Sequence, residues 1–363
     1  MTQKYYYPAI DRFKLLAAFL VIAIHTSPLT FISPEADYIL ARVLARVAVP
    51  FFFMVTGYFV LPKALEDGAY GLAYLKRIGL IYLISMALYL PVGIYAGHFK
   101  GAGVISILKM IFLDGTFYHL WYLPALILGF AVLLPLLRAL PLPAAGTVCG
   151  LLYLIGLFGD SYYGLIGEES FVYSIYQGLF HLFEYTRNGL FYTPVFLFLG
   201  YTLTQRRPSF ALAAGALGGS FGLLLGEGIV LKLAEAQRHD SMYIFLLPVM
   251  YFLFSALLEN CTEEHQKSFP KDLPLFIYLL HPLFIILVRG GAKVTKLTFF
   301  VDNSLAHYTA TAVSTFAGAL ILTKLLAILK RQTGSRKKSV PRSGNRNAST
   351  RRRNAERTSY ETE

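Results

Sequence analysis

The sequence predicts an all-α fold: a polytopic membrane helix bundle of about ten transmembrane helices with a disordered basic C-terminal tail. Three observations predict it. The 363 residues are 56% hydrophobic with a mean hydropathy of +0.54, too apolar for a soluble globular chain of this size. The apolar residues fall in long continuous runs, whereas an outer-membrane barrel alternates in stretches of roughly ten residues, so helices alone are needed to satisfy the backbone in lipid. The formal charge of +12 is unevenly placed, with eleven Lys and Arg against three Glu from Lys330 onward.

Taken in order, the apolar runs place spans near residues 15 to 31, 43 to 61, 78 to 96, 120 to 140, 143 to 159, 189 to 204, 210 to 231, 242 to 258, 273 to 289 and 307 to 329. Each approaches the roughly 20 residues that a bilayer requires. Lys4, Arg12 and Lys14 before the first run imitate a signal peptide, but no small-residue cleavage site follows, and the run reads as a retained span. An even number of spans puts both termini on one side. The short loops do not choose that side, because Lys63, Lys76, Arg77, Arg206 and Arg207 face Arg289, Lys293 and Lys296 across the bundle. The tail does: Arg336-Lys-Lys338 and Arg351-Arg-Arg353 hold it in the cytosol, against anionic lipid.

The domain reading is a transmembrane domain over residues 1–330 and a disordered basic cytosolic tail over 331–363. The tail has no aromatic interleaving beyond Tyr360, so nucleic acid is not an expected partner. Connections at residues 97–119 and 160–188 are longer than the rest, and Phe171 to Glu184 reads as an interfacial or re-entrant helix. Cys149 and Cys261 have no ligand-like spacing to each other or to histidines, which argues against a zinc site or disulfide framework.

Ionisable residues inside the runs are the functional candidates, because charge in a bilayer is expensive. Lys14 and His25 are eleven steps apart, about three turns plus 20° and about 16 Å of rise, so they share one helix face. Arg46 returns in the second run to a depth similar to that of His25. His25 is either a packed histidine or a functional base, and a dry imidazole tends to its neutral form, which can take a proton from an attacking hydroxyl. Lys14 either snorkels to the interface or meets a ligand. His119 and Trp121 form an interfacial aromatic anchor or part of a site, and His281 within Tyr278-Leu-Leu-His281-Pro282 packs or functions. Lys76 and Arg77 fix topology or meet a phosphate-bearing cytosolic ligand. His181, Glu184 and Arg187 share one side if their segment is helical, and Arg238-His239-Asp240-Ser-Met-Tyr243 is a polar cluster before the eighth run.

The order Ile10-Asp11, His25, Arg46-Val-Ala-Val-Pro-Phe-Phe-Phe-Met-Val-Thr-Gly57-Tyr, Lys76-Arg77, His119-Leu-Trp121 and Tyr278-Leu-Leu-His281 resembles the acyltransferase-3 membrane family over all ten runs. Tyr118-His-Leu-Trp-Tyr, Leu154-Ile-Gly-Leu-Phe-Gly-Asp160-Ser, Thr186-Arg-Asn-Gly189 and His239-Asp-Ser-Met-Tyr243 are closer still to the membrane half of the vancomycin-resistance serine racemases. Nothing like the cofactor-lysine motif of their racemase half follows the tail.

The resemblance implies transfer of an acyl group, commonly acetyl, from acyl-CoA to an envelope hydroxyl in a bacterial-type plasma membrane, with no bound cofactor and no metal. It makes His25 the base, with Arg46 beside it. Lys14, Lys76, Arg77, His119, Trp121, Arg187, His239, Asp240 and His281 are the substrate-binding candidates. Lys14 stands where the family usually has arginine, and Thr56 where it often has serine. The racemase likeness implies a second role, moving L-serine toward a separate cytosolic racemase, and a third, a scaffold that recruits one.

Overall fold

The computed structural model describes residues 6–259, 261 and 269–338, and residues 339–363 of the tail lie outside the described residues. Each of the ten apolar runs contains a helix: α1 Pro8–Thr26, α2 Pro34–Phe59, α3 Gly68–Tyr95, α4 Tyr122–Ala139, α5 Leu142–Phe158, α6 Thr193–Gln205, α7 Phe210–Leu233, α8 Leu246–Leu257, α9 Leu273–Thr295 and α10 Ser304–Lys338. No strand occurs among the described residues. Six helices, α2, α3, α4, α7, α9 and α10, are long and apolar enough to cross a membrane. α10 continues to Lys338, beyond the compositional boundary at residue 330.

The other four helices show what a hydropathy reading misses. α1 carries Asp11, Arg12 and Lys14 in its first turns, and α5, α6 and α8 have 17, 13 and 12 residues. α6 and α8 are short because the chain entering each is buried but not helical. Thr186, Asn188, Ser241, Met242 and Tyr243 are all buried in these entries. Such backbone survives at membrane depth only if protein groups satisfy it. Asn188 Oδ1 accepts from the Leu190 and Phe191 amides, and Asp160 Oδ1 accepts from those of Ser241 and Met242 at 2.7 and 3.0 Å. The Glu227 carboxylate accepts from the Ile244 and Phe245 amides at 2.6 and 2.9 Å, where its charge also suits the N-terminus of α8.

Proline shapes two further irregularities. α2 begins at the Ser33 cap with Pro34 in its first turn, then passes through a π turn at Tyr38–Val43 and a 3-10 turn at Leu44–Val47. Pro50 has no amide to give the Arg46 carbonyl, and its ring crowds that turn. In α9, Pro282 likewise leaves the Tyr278 carbonyl without its helical donor, and His281 Nδ1 donates to it at 2.7 Å. The Tyr89 hydroxyl inserts one step on, giving its proton to the Leu279 carbonyl at 2.6 Å and accepting from the Leu283 amide at 3.3 Å.

α1, α2, α6 and α8 form the interior, while α3, α7 and α10 turn leucines and isoleucines outward. The short helix Phe171–Leu182 buries only Tyr176 and exposes Phe171, Val172, Ile175 and Leu182, as an interfacial helix does. Lys109 donates to the His181 carbonyl and ties this helix to another short one, Val104–Lys109. The helix stops at Leu182, with Phe183 extended, so Glu184 and Arg187 do not share a helical face with His181; the expected alignment is corrected by that break.

α2 and α6 cross so closely that a Cβ at Gly57 would lie 2.1 Å from the Leu197 carbonyl oxygen, and one at Gly200 2.4 Å from that of Met54. This is the small-residue packing that membranes favour where side chains gain little from burial. Gly200→Ala is expected to cost about 1–3 kcal/mol, the range for overpacking, and to lower the melting temperature in detergent. Gly150→Ala, where nothing lies within 4 Å, is the control expected to leave it unchanged.

Candidate functional site

Most of the sequence-selected residues gather at one end of the bundle, where α1 ends and α2 begins. α1 stops at Ser27, which takes a left-handed conformation (φ 48°), and His25 sits in its last turn. The His25 ring is half-buried, stacked on that of His281 with centroids 5.2 Å apart and covered by the Tyr118 ring at 4.8 Å. His119 follows at 5.3 Å from His281. A carbonyl can only accept, so the Tyr278 contact makes His281 Nδ1 the protonated nitrogen in a neutral ring. Its Nε2, and both ring nitrogens of His119, are buried without a hydrogen-bond partner. Among the described residues no three His, Cys, Asp or Glu converge to hold a metal ion.

Two cavities approach this layer from opposite ends. The inner one, about 190 Å3, is walled by Val21, Phe52, Tyr122 and Tyr278, with Lys14 and Lys271 also lining it. Lys14 Nζ is 2.7 Å from Asp11 Oδ1. The outer cleft, about 360 Å3, is lined by Asp114, Tyr118, Trp121, Glu184 and Arg187 among others. Trp121 lines the outer cleft and Tyr122 the inner cavity, so the partition there is one residue thick. Tyr278 belongs to the inner wall and donates its hydroxyl to the His119 carbonyl at 2.6 Å, joining the inner wall to the histidine layer.

Beside the histidines lies an ionic cluster. Arg46, 9% exposed, pairs with Asp240 and does not touch His25 directly. Arg42 Nε lies 3.7 Å from the other oxygen of Asp240, and the Arg46 Nε donates to the Arg42 carbonyl at 3.4 Å. Arg187 lies between the rings of Trp121 and Tyr185, at 5.0 and 4.5 Å, with a buried Nε that lacks a partner. The His239 ring rests against Tyr185 at 4.6 Å, and burial, with help from Arg238 and Arg187, lowers its pKa to about 4, so it is neutral at physiological pH. Lys76 and Arg77 are exposed on α3 and line neither cavity.

The acyltransferase-3 family profile, described as an acyltransferase domain, matches residues 7–324. The chain belongs to the acyltransferase-3 family. It is similar to two amino-acid racemases of Enterococcus faecalis, at 36% identity over 337 residues (91% of this chain, 47% of the relative) and 38% over 345 residues (92% and 47%). It is also similar to a serine/alanine racemase of Enterococcus gallinarum, at 35% over 314 residues (84% and 44%). The chain thus spans about half the length of these curated relatives. No solved structure matches it.

In this acyltransferase-3 chain the sequence reading missed two residues that organise the site. Glu227 is a carboxylate inside an apolar run, and the rule that singled out His25 applies to it equally. Lys271 lies in a polar connection and gave no periodic signal; only the fold brings it beside Lys14 in the inner cavity. Asp160 appeared in a motif without a role.

Asp160→Ala is expected to strand two buried amides, at about 1–3 kcal/mol each, and to lower the melting temperature more than any loop substitution at the rim of the cleft. Burial, then the nearby Glu184, raises the Asp114 carboxyl from 3.8 to about 6. The native state therefore holds this proton more tightly than the unfolded chain, and stability declines as pH rises through that interval. Melting curves across the interval are expected to show this component in the parent protein and to lose it in Asp114→Asn.

Proposed function

We propose that this chain transfers an acyl group from acyl-CoA to a hydroxyl acceptor of the cell envelope, with His25 as the general base. The observation that carries this reading is the pair of cavities meeting at a thin aromatic and histidine layer. Lys14 and Lys271 suit the phosphates of a donor entering the inner cavity, whose apolar walls suit the acyl thioester. In a bacterial-type plasma membrane with both termini cytosolic, that cavity faces the cytosol and the acceptor enters the outer cleft. His25 takes the proton of the acceptor hydroxyl as its oxygen attacks the thioester carbonyl. The carbon–sulfur bond then breaks, and the thiolate leaves as the protonated thiol, which restores His25. Arg46 and Arg187 place positive charge near the developing oxyanion.

A second reading has its own support. The outer cleft sets the Arg187 guanidinium against the Asp114 and Glu184 carboxylates, a pattern that suits the carboxylate and ammonium of an amino acid. The similar proteins are named for amino-acid and serine/alanine racemases. On that reading the chain passes L-serine to a separate cytosolic racemase, in keeping with a role in antibiotic resistance.

One experiment separates the two. Purified protein in lipid is given labelled acetyl-CoA with candidate acceptors, and labelled serine uptake is followed in parallel, each repeated with His25→Ala. Transfer is expected to fall by about 10²–10⁴-fold, the usual contribution of a general base. Uptake that depends on His25, with no transfer to any acceptor, overturns the enzyme reading.

A further inference from the structure

A third cavity lies between the histidine layer and the ionic cluster. It has a volume of about 20 Å3 and is enclosed by Ile24, Arg46, Trp121, Arg187, Tyr192 and Ser241. That is room for a single particle the size of a water molecule or a monatomic ion. Two of its walls are guanidinium groups.

The charges around it do not balance. Arg42, Arg46 and Arg187 face only two carboxylates, Asp160 and Asp240, and His239 is neutral at physiological pH. Asp240 is taken by Arg42 and Arg46. Asp160 spends Oδ1 on the Ser241 and Met242 amides and the Ser161 hydroxyl. Asp114 and Glu184 line the outer cleft and not this cavity. Among the described residues Arg187 forms no ion pair, its guanidinium lies over aromatic rings, and its buried Nε has no hydrogen-bond partner. An unmatched guanidinium this far from water costs several kcal/mol, and a water molecule filling the cavity would leave the charge unmatched.

We propose that this cavity binds a small monovalent anion of the halide class, held between the guanidinium groups of Arg46 and Arg187. The volume excludes polyatomic anions such as sulfate or phosphate. The proposal does not depend on whether the chain transfers acyl groups or moves an amino acid. Because Arg187 also lines the outer cleft, the anion and an anionic ligand in the cleft draw on the same cation.

Trp121 makes the test direct, because it is the only tryptophan in the chain and it forms one wall of the cavity. The full chain, purified in detergent at constant ionic strength with gluconate as the inert anion, is titrated with bromide while tryptophan fluorescence is recorded. Saturable quenching that chloride displaces and gluconate does not is the expected result. In Arg187→Gln the apparent bromide constant is expected to weaken by about tenfold or more, the loss of one charge-assisted hydrogen bond. Strictly linear quenching unaffected by chloride overturns the proposal. So does a chloride-sensitive component that persists unchanged in both Arg187→Gln and Arg46→Gln. Should neither variant fold, the proposal stands or falls on wild-type protein, where chloride at constant ionic strength must raise the melting temperature saturably relative to gluconate.

Discussion

The site depends on one constraint: backbone that is not helical yet lies at membrane depth must find its hydrogen bonds within the protein. The entries to α6 and α8 meet it with side chains. Asp160, Glu227 and Asn188 accept from backbone amides, and the Tyr153 hydroxyl bridges the amide and carbonyl of Tyr243 at 3.2 and 2.7 Å. These buried acceptors let two helices start late and leave room for the segments that carry Arg187, His239 and Asp240. A continuous helix would have satisfied its own backbone but could not have brought those three side chains to one place.

The same economy recurs in α9. Pro282 leaves the Tyr278 carbonyl unpaired, and the adjacent His281 takes it, which also decides which ring nitrogen carries the proton. A defect in one helix thus fixes the chemistry of a side chain in the layer beside His25. In α2, Pro50 plays a comparable part near Arg46, where the helix tightens to a 3-10 turn just as it meets the ionic cluster.

How much of this was legible in the sequence follows from what each feature rests on. The ten helices were readable because apolar runs are local. His25, Arg46, His119, Arg187, Asp240 and His281 were readable as costly groups in apolar surroundings or as members of a motif order. Their partners were less so: His25 meets His281 and Tyr118, and Arg46 is claimed by Asp240, nearly two hundred residues away. Lys76 and Arg77 carried the same kind of charge signal as Lys14, yet the fold leaves them outside both cavities. Lys271 was silent for the opposite reason, since its significance comes only from the helix beside it. The short lengths of α6 and α8 were hidden because buried irregular backbone is as hydrophobic as helix.

The interlocked glycines of α2 and α6 carry a mechanical consequence. With Gly57 against the Leu197 backbone and Gly200 against that of Met54, these two helices have no compressible side chain between them and move only as a single strut. The wall between the inner and outer cavities is anchored on one side by that strut through Phe53, whose ring stacks on Tyr122 with centroids 4.8 Å apart. Compliance is left to the opposite side, where α9 bends at Pro282 and its broken ladder is spliced by the Tyr89 hydroxyl. Any passage through the wall therefore works like a door with one fixed jamb.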